Sequence, residues 1–203
     1  SGSAVTIVDT TALDLVALSA ASLSVTAGGA VTDSGTLAIS GATTISASGQ
    51  NITLSETAST FGTISVTGAN VAITEAAATE LGASTVSGTL DITSTGAITD
   101  SGTLAITGDA TFTNSGGTDE AITLDDSGNV FTGSVTFATD SGSAVTIVDT
   151  TALDLVALSA ASLNVTAGGA VTDSGTLAIT GATTISASGQ DITLSETAST
   201  FGT

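Results

Sequence analysis

Apolar and polar residues alternate through short segments along the whole chain. Leu23/Val25, Leu37/Ile39, Ile52/Leu54, Ile64/Val66, Val71/Ile73, Leu90/Ile92, Leu104/Ile106 and Ile122/Leu124 each bracket one small or polar residue. A period of two puts residues i and i+2 on the same side of an extended backbone, so each segment predicts a short β-strand with one buried face. Between the segments lie Gly-Gly, Gly-Ala, Ser-Gly and Asp-Ser-Gly, residues that tolerate tight corners. Residues 11–18 and 75–81 use good helix formers instead. Isolated helices that short are marginal, so both are expected to be variable corner segments of the same coil.

The segments also repeat on a larger scale. Residues 1–63 return at 141–203 without a gap, and only three positions differ: Ser24 against Asn164, Ser40 against Thr180 and Asn51 against Asp191. Each position i thus recurs at i+140. Within that period the string TDSGTLAI occurs at 32–39, 99–106 and 172–179, spaced by 67 and 73, which divides each period into two degenerate halves of about 70. Nested self-similarity of this kind belongs to solenoids and tandem arrays. The segment spacing predicts three coils per half, each of roughly 19 to 30 residues, the length of one turn of a parallel β-helix. About nine coils, at ~4.8 Å per stacked strand, give a rod of about 40 to 45 Å. The expected fold is all-β: one continuous β-solenoid over 1–203, with a full repeat at 1–140, a partial copy at 141–203, and a longer array around it. An array of β-sandwiches is disfavoured by the absence of Trp, Tyr and Pro.

Composition narrows the chemistry. The chain carries 42 Thr, 33 Ala and 28 Ser, no Lys, Arg, His, Pro, Cys, Met, Trp or Tyr, and 19 acidic residues for a net charge of −19. No side-chain ion pair can form within it. Nucleic acid is excluded as a partner, because affinity for a polyanion rests on Lys and Arg. High charge suggests disorder only when hydrophobicity is low, and here 41% of residues are hydrophobic with mean hydropathy +0.53. The longest clearly apolar run, 15–18, falls far short of the ~20 residues that span a membrane.

Runs such as SLSVTAGGAVTDSGTLAISGATTISASGQNITLS at 22–55 resemble the repeats of filamentous-haemagglutinin-type adhesins and other large secreted surface proteins. That resemblance implies a right-handed parallel β-helix forming an extracellular, cell-surface fibre or stalk. Self-association along or between rods is the partner it suggests, with a host or surface glycan as a further one.

An enzyme is not expected, since His, Cys, Lys and Tyr are all missing and only carboxylates remain to act as base or nucleophile. Carboxylate pairs can run glycoside hydrolysis, but the aromatic platforms of a sugar-cleaving groove are absent. Asp119, Glu120, Asp125 and Asp126, with Asn129, place five hard oxygen ligands in one short stretch and are the candidate calcium ligands; the competing expectation is a solvated acidic loop. Any lateral association of rods, and the order of the 114–129 segment, is expected to depend on divalent cations that offset the charge. Asp33, Asp100 and Asp173, each before Ser-Gly, are expected to start turns through their own side chains. Phe61, Phe131 and Phe201, evenly spaced at half-period intervals, are expected to fill the core. The Asn51-Ile-Thr and Asn164-Val-Thr sequons are not kept between repeats and are read as chance. An alternative function is a Ser/Thr-rich solenoid face that binds carbohydrate or ice.

Overall fold

The computed structural model describes residues 2–117, 119–139 and 142–202. The repeat boundary at 140/141 and Thr118, within the 114–129 segment, lie outside them. The described residues form an all-β parallel solenoid of about ten turns. Its first sheet runs through ten stacked strands beginning at Ala4, Ser22, Thr43, Thr63, Thr79, Ile98, Ile122, Ala144, Ser162 and Thr183, and these starts number the turns 1 to 10. A second sheet stacks one strand from each turn in the same order, from Leu13–Leu15 to Ile192–Thr193. Strands pair in parallel with the turn above and below. The step between partners varies in length, from the short turn that sets Ile64 beside Leu81 to the long one that sets Ala110 beside Val135. With nine intervals of ~4.8 Å the rod is about 43 Å long.

A third face is built from short strands whose attachment changes along the rod. Leu18–Ala20 and Leu37–Ile39 stand apart as a two-stranded sheet. Ser84–Val86, Leu104–Ile106 and Val130–Phe131 join the first sheet, whereas Leu177–Ile179 and Thr200–Phe201 join the second. The two helix-prone stretches are part of this winding: 13–15, 18–20 and 79–81 are strands, joined by corners.

All sixteen aliphatic residues of the eight alternating segments are buried, which the period of two requires if one face lines the core. Bulk enters the interior where turns 6 and 7 are longest. Phe112 meets Phe131 edge-on at 6.2 Å and Phe137 in a stack at 5.8 Å. Phe61 and Phe131 fill the core as expected; Phe201, in turn 10, is 43% exposed, with no turn stacked on it among the described residues.

The 140-residue period takes seven whole turns, from turn 1 to turn 8, rather than the six expected. A full period therefore returns each strand of the first and second sheets to its own sheet, while a half period does not. Asp33 and Asp173 both end strands of the second sheet, and Asp100 ends a strand of the first.

Identical sequence in two surroundings isolates the effect of stacking. Strand Ala4–Asp9 leaves Val5 and Ile7 partly exposed, whereas Ala144–Asp149, with turn 7 beneath it, buries Val145 and Ile147 completely. Leu13–Leu15 and Leu18–Ala20 are separate strands, but their copy Leu153–Ala160 is continuous and crosses a bulge, where Val135 pairs with Leu155 and Phe137 with Leu158.

Candidate functional site: loops pinned by carboxyl groups

Three corresponding loops, 55–61, 125–131 and 195–201, follow the strands that end at Leu54, Leu124 and near Leu194. Each closes on itself in the same way: the Ser59, Asn129 and Ser199 N–H groups donate to the carbonyls of Glu56, Asp126 and Glu196. Each is also held from the turn beneath. Asp33 accepts the Ser55 N–H at 2.7 Å and the Glu56 N–H at 3.3 Å; Asp173 accepts those of Ser195 at 2.6 Å and Glu196 at 3.4 Å. Asp100 accepts the Asp125 N–H at 2.8 Å, the Asp126 N–H at 3.3 Å and the Asn129 amide at 2.5 Å. The three aspartates thus clamp the next turn instead of starting their own. A carboxylate with two oxygens is well placed to collect the consecutive N–H groups that a tight loop turns away from the sheet.

A side chain of each loop reaches back down. Ser59 and Ser199 Oγ accept the N–H of Leu37 and Leu177 at 3.0 Å, and Asn129 Oδ1 accepts that of Leu104 at 2.8 Å. These bonds satisfy backbone donors that the short third-face strands leave outside the ladder.

From above, the first two loops are held by buried carboxyl groups. The Phe61 N–H donates to Glu75 Oε1 at 2.8 Å, and the Phe131 N–H to Asp149 Oδ1 at 3.3 Å. Glu75 is 0% and Asp149 1% exposed, and the second oxygen of each, Glu75 Oε2 and Asp149 Oδ2, has no hydrogen-bond partner. Burial pushes the Glu75 carboxyl up to about 7 against the opposing Phe61 N–H and Thr79 hydroxyl. The Thr79 hydroxyl is near enough to oppose the shift, yet it makes no hydrogen bond in the geometry recorded. Burial also raises Asp149, against the Thr151 and Phe131 donors. Asp9, the copy of Asp149 in turn 1, accepts the Thr11 N–H and hydroxyl at 2.8 Å in the open and is lowered by them. Asp100 is raised by burial, with the Asp125 charge adding to it and the Asn129 amide and loop N–H groups holding it back. Above Glu75 the inward column continues as Ser94 and Asn114, which bond to the carbonyls of Ala77 and Gly96.

The candidate calcium ligands fall on both ends of one strand. Asp119 and Glu120 precede Ile122–Leu124, and Asp125 and Asp126 follow it. The extended stretch between Glu120 and Asp125 separates the pairs by about 16 Å. Asp119 packs against Gly142 of the next turn, and Asp126 Oδ1 accepts the Thr103 hydroxyl and the Gly128 N–H at 2.9 Å. Among the described residues no three acidic side chains converge in a metal-binding group. No helix among them is long and apolar enough to cross a membrane. The groove over the bulge, lined by Phe137, Ala157, Leu158, Thr136, Thr139 and Thr176, measures about 380 Å³ and contains no ionisable group.

The family described as repeats of unknown function (DUF5649) matches residues 2–67, 68–138 and 142–203. The chain belongs to that family. No curated protein and no solved structure matches it. The three matched copies each contain one pinned loop and the aspartate beneath it. The upper carboxyl comes from the following copy: Glu75, in the second, caps the loop of the first, and Asp149, in the third, caps the loop of the second. Sequence reading missed this because Glu75 sits in a stretch with helical propensity, and nothing local marks Asp149 as buried when its copy Asp9 is not. No shared offset marks them either, since Glu75 follows Phe61 by 14 positions and Asp149 follows Phe131 by 18.

Proposed function

We propose that the chain is a structural repeat segment of a secreted or cell-surface fibre or stalk, adhesin-like in role, in which repeat number sets length and binding is left to other parts. The observation that carries this reading is the closure of one 140-residue period on seven whole turns. Because each copy re-enters the same sheets, units add end to end without a change of face, and the carboxyl caps tie each copy to the one before. The reading includes no catalytic role, since no His, Cys, Lys or Tyr supports the carboxylates. Its partners are neighbouring repeats and neighbouring rods. Divalent cations, calcium first among them, bridge acids between rods, with Asp119, Glu120, Asp125 and Asp126, which stand partly or fully exposed on turn 7, as the ligands. Chains of one, two and three periods, measured by small-angle scattering and electron microscopy, should lengthen by about 34 Å per period. A compact particle, or a length that does not follow repeat number, overturns the proposal. Chelation should loosen lateral bundles while leaving the β signal in circular dichroism.

A second reading is favoured by one feature of the first sheet. Ser24, Thr44 and Ser65 pair in register, as do Thr26, Ser46 and Thr67, so turns 2 to 4 present two straight rows of outward hydroxyls. Such a flat face suits ice or carbohydrate. Thermal hysteresis or glycan-array signal that disappears when Thr44 and Ser46 are replaced by Val supports it; silence in both assays removes it.

A further inference from the structure

We propose that Glu75 acts as a proton-dependent latch between consecutive repeats: as a neutral acid it holds the loop 55–61 of the preceding copy, and on losing the proton it releases it. The geometry is that of a neutral carboxyl group. One Glu75 oxygen accepts a single backbone N–H, from Phe61, and the other is buried without a partner. A carboxylate in the same place would bring a full charge into the core with one donor to solvate it. No cation is available to compensate anywhere in the chain. The ionisable groups on the segments packed around Glu75 are Glu56 in the loop beneath, Glu80 on the following strand and Asp91 on the strand above. All are acids, so each would oppose ionisation.

The sign follows from linkage. Glu75 holds its proton to about 7 in the fold and to the ordinary carboxyl range when released, so the folded joint binds the extra proton between those values and loosens as pH rises through them. The joint is tightest in mild acid and open above neutrality.

The test is hydrogen exchange at the Phe61 amide between pH 5 and 8, corrected for intrinsic exchange, on the whole chain. Protection at Phe61 should fall roughly tenfold or more over that range in the unaltered protein. It should stay level in Glu75→Gln, whose amide keeps the acceptor oxygen and donates where the acid proton stood. If a variant fails to fold, the infrared carbonyl band of a protonated carboxyl in the unaltered chain still decides. Its presence at pH 6 and loss by pH 8 supports the latch. Level protection in the unaltered protein, or carboxyls fully ionised at pH 6, overturns it.

Discussion

The duplicated sequence allows burial to be tested with local sequence held constant. Ile7 and Ile147 lie in the same AVTIVDTTALDL segment, so backbone propensity and the behaviour of the unfolded chain are matched. Their surroundings differ by one turn. Ile147 pairs with Leu124 below and Val165 above and is 0% exposed, whereas Ile7 pairs with Val25 above alone and is partly buried. Truncating a fully enclosed Ile to Ala costs about 2 to 5 kcal/mol, because the transfer free energy is lost and a cavity remains between neighbours that cannot both move in. At Ile7 solvent already reaches one side, no closed cavity forms, and the cost should be about half as large, roughly 1 to 2 kcal/mol. Ile147→Ala should therefore exceed Ile7→Ala by ~1 kcal/mol or more. Urea unfolding followed by circular dichroism measures the global cost. Hydrogen exchange must accompany it, since a solenoid's stability is a sum over neighbouring turns and the first turn can open alone. Equal costs, within about 0.5 kcal/mol, would refute the claim that stacking rather than local sequence determines burial in this fold.

Other outcomes follow from single contacts. Asn70 Oδ1 accepts the Thr89 N–H and hydroxyl while its own N–H and amide donate to Asn51, so Asn70→Ala should destabilise the rod by about 1 to 2 kcal/mol in thermal or urea melts. A Cβ on Gly108 would stand 2.6 Å from the Gly88 carbonyl, so Gly108→Val should sharply reduce the yield of folded protein, whereas Gly117→Asn, in a left-handed position facing open space, should be tolerated. Carbon-detected NMR titration should find the Asp9 carboxyl below and the Asp149 carboxyl above the ordinary Asp range; Asp9 then adds stability that is lost as pH falls, and Asp149 stability that is lost as pH rises.

How much of this was legible in the sequence depended on the range of the interaction. Leu90-Asp-Ile92 declares its buried face within three positions, because a strand's facing is set by its own alternation, and all eight such segments pack inward. The turn count came out one too few per period because Leu81 stacks directly on Ile64, a shorter turn than the spacing of the obvious motifs suggested. TDSGTLAI looks like one structural unit three times over, yet it lies on the second sheet twice and on the first sheet once, since a half period is not a whole number of turns. The pinned loops were invisible for a related reason. Asp100 and the amides of Asp125 and Asp126 are a full turn apart in sequence, and no local pattern states which turn sits on which.

The absence of basic residues explains why so many inward acids end on backbone amides. In most proteins a buried carboxylate is balanced by Arg or Lys; here the available donors are N–H groups, hydroxyls, side-chain amides and the proton itself. Where two N–H groups converge, as on Asp33 and Asp173, the acid is partly open to solvent, 8% and 7% exposed, and is held by the loop it clamps. Where one N–H is available at full burial, as for Glu75, the proton supplies the remaining compensation and the titration moves up to about 7. Replacing Asp33 by Asn should then cost more at pH 6 than replacing Glu75 by Gln. The first change removes a charge that two amides stabilise and places an NH2 group against one of them, while the second substitutes a neutral group for one already neutral. Melting both variants at pH 6 checks the ordering, and a larger loss for Glu75→Gln would mean that Glu75 is ionised in the fold.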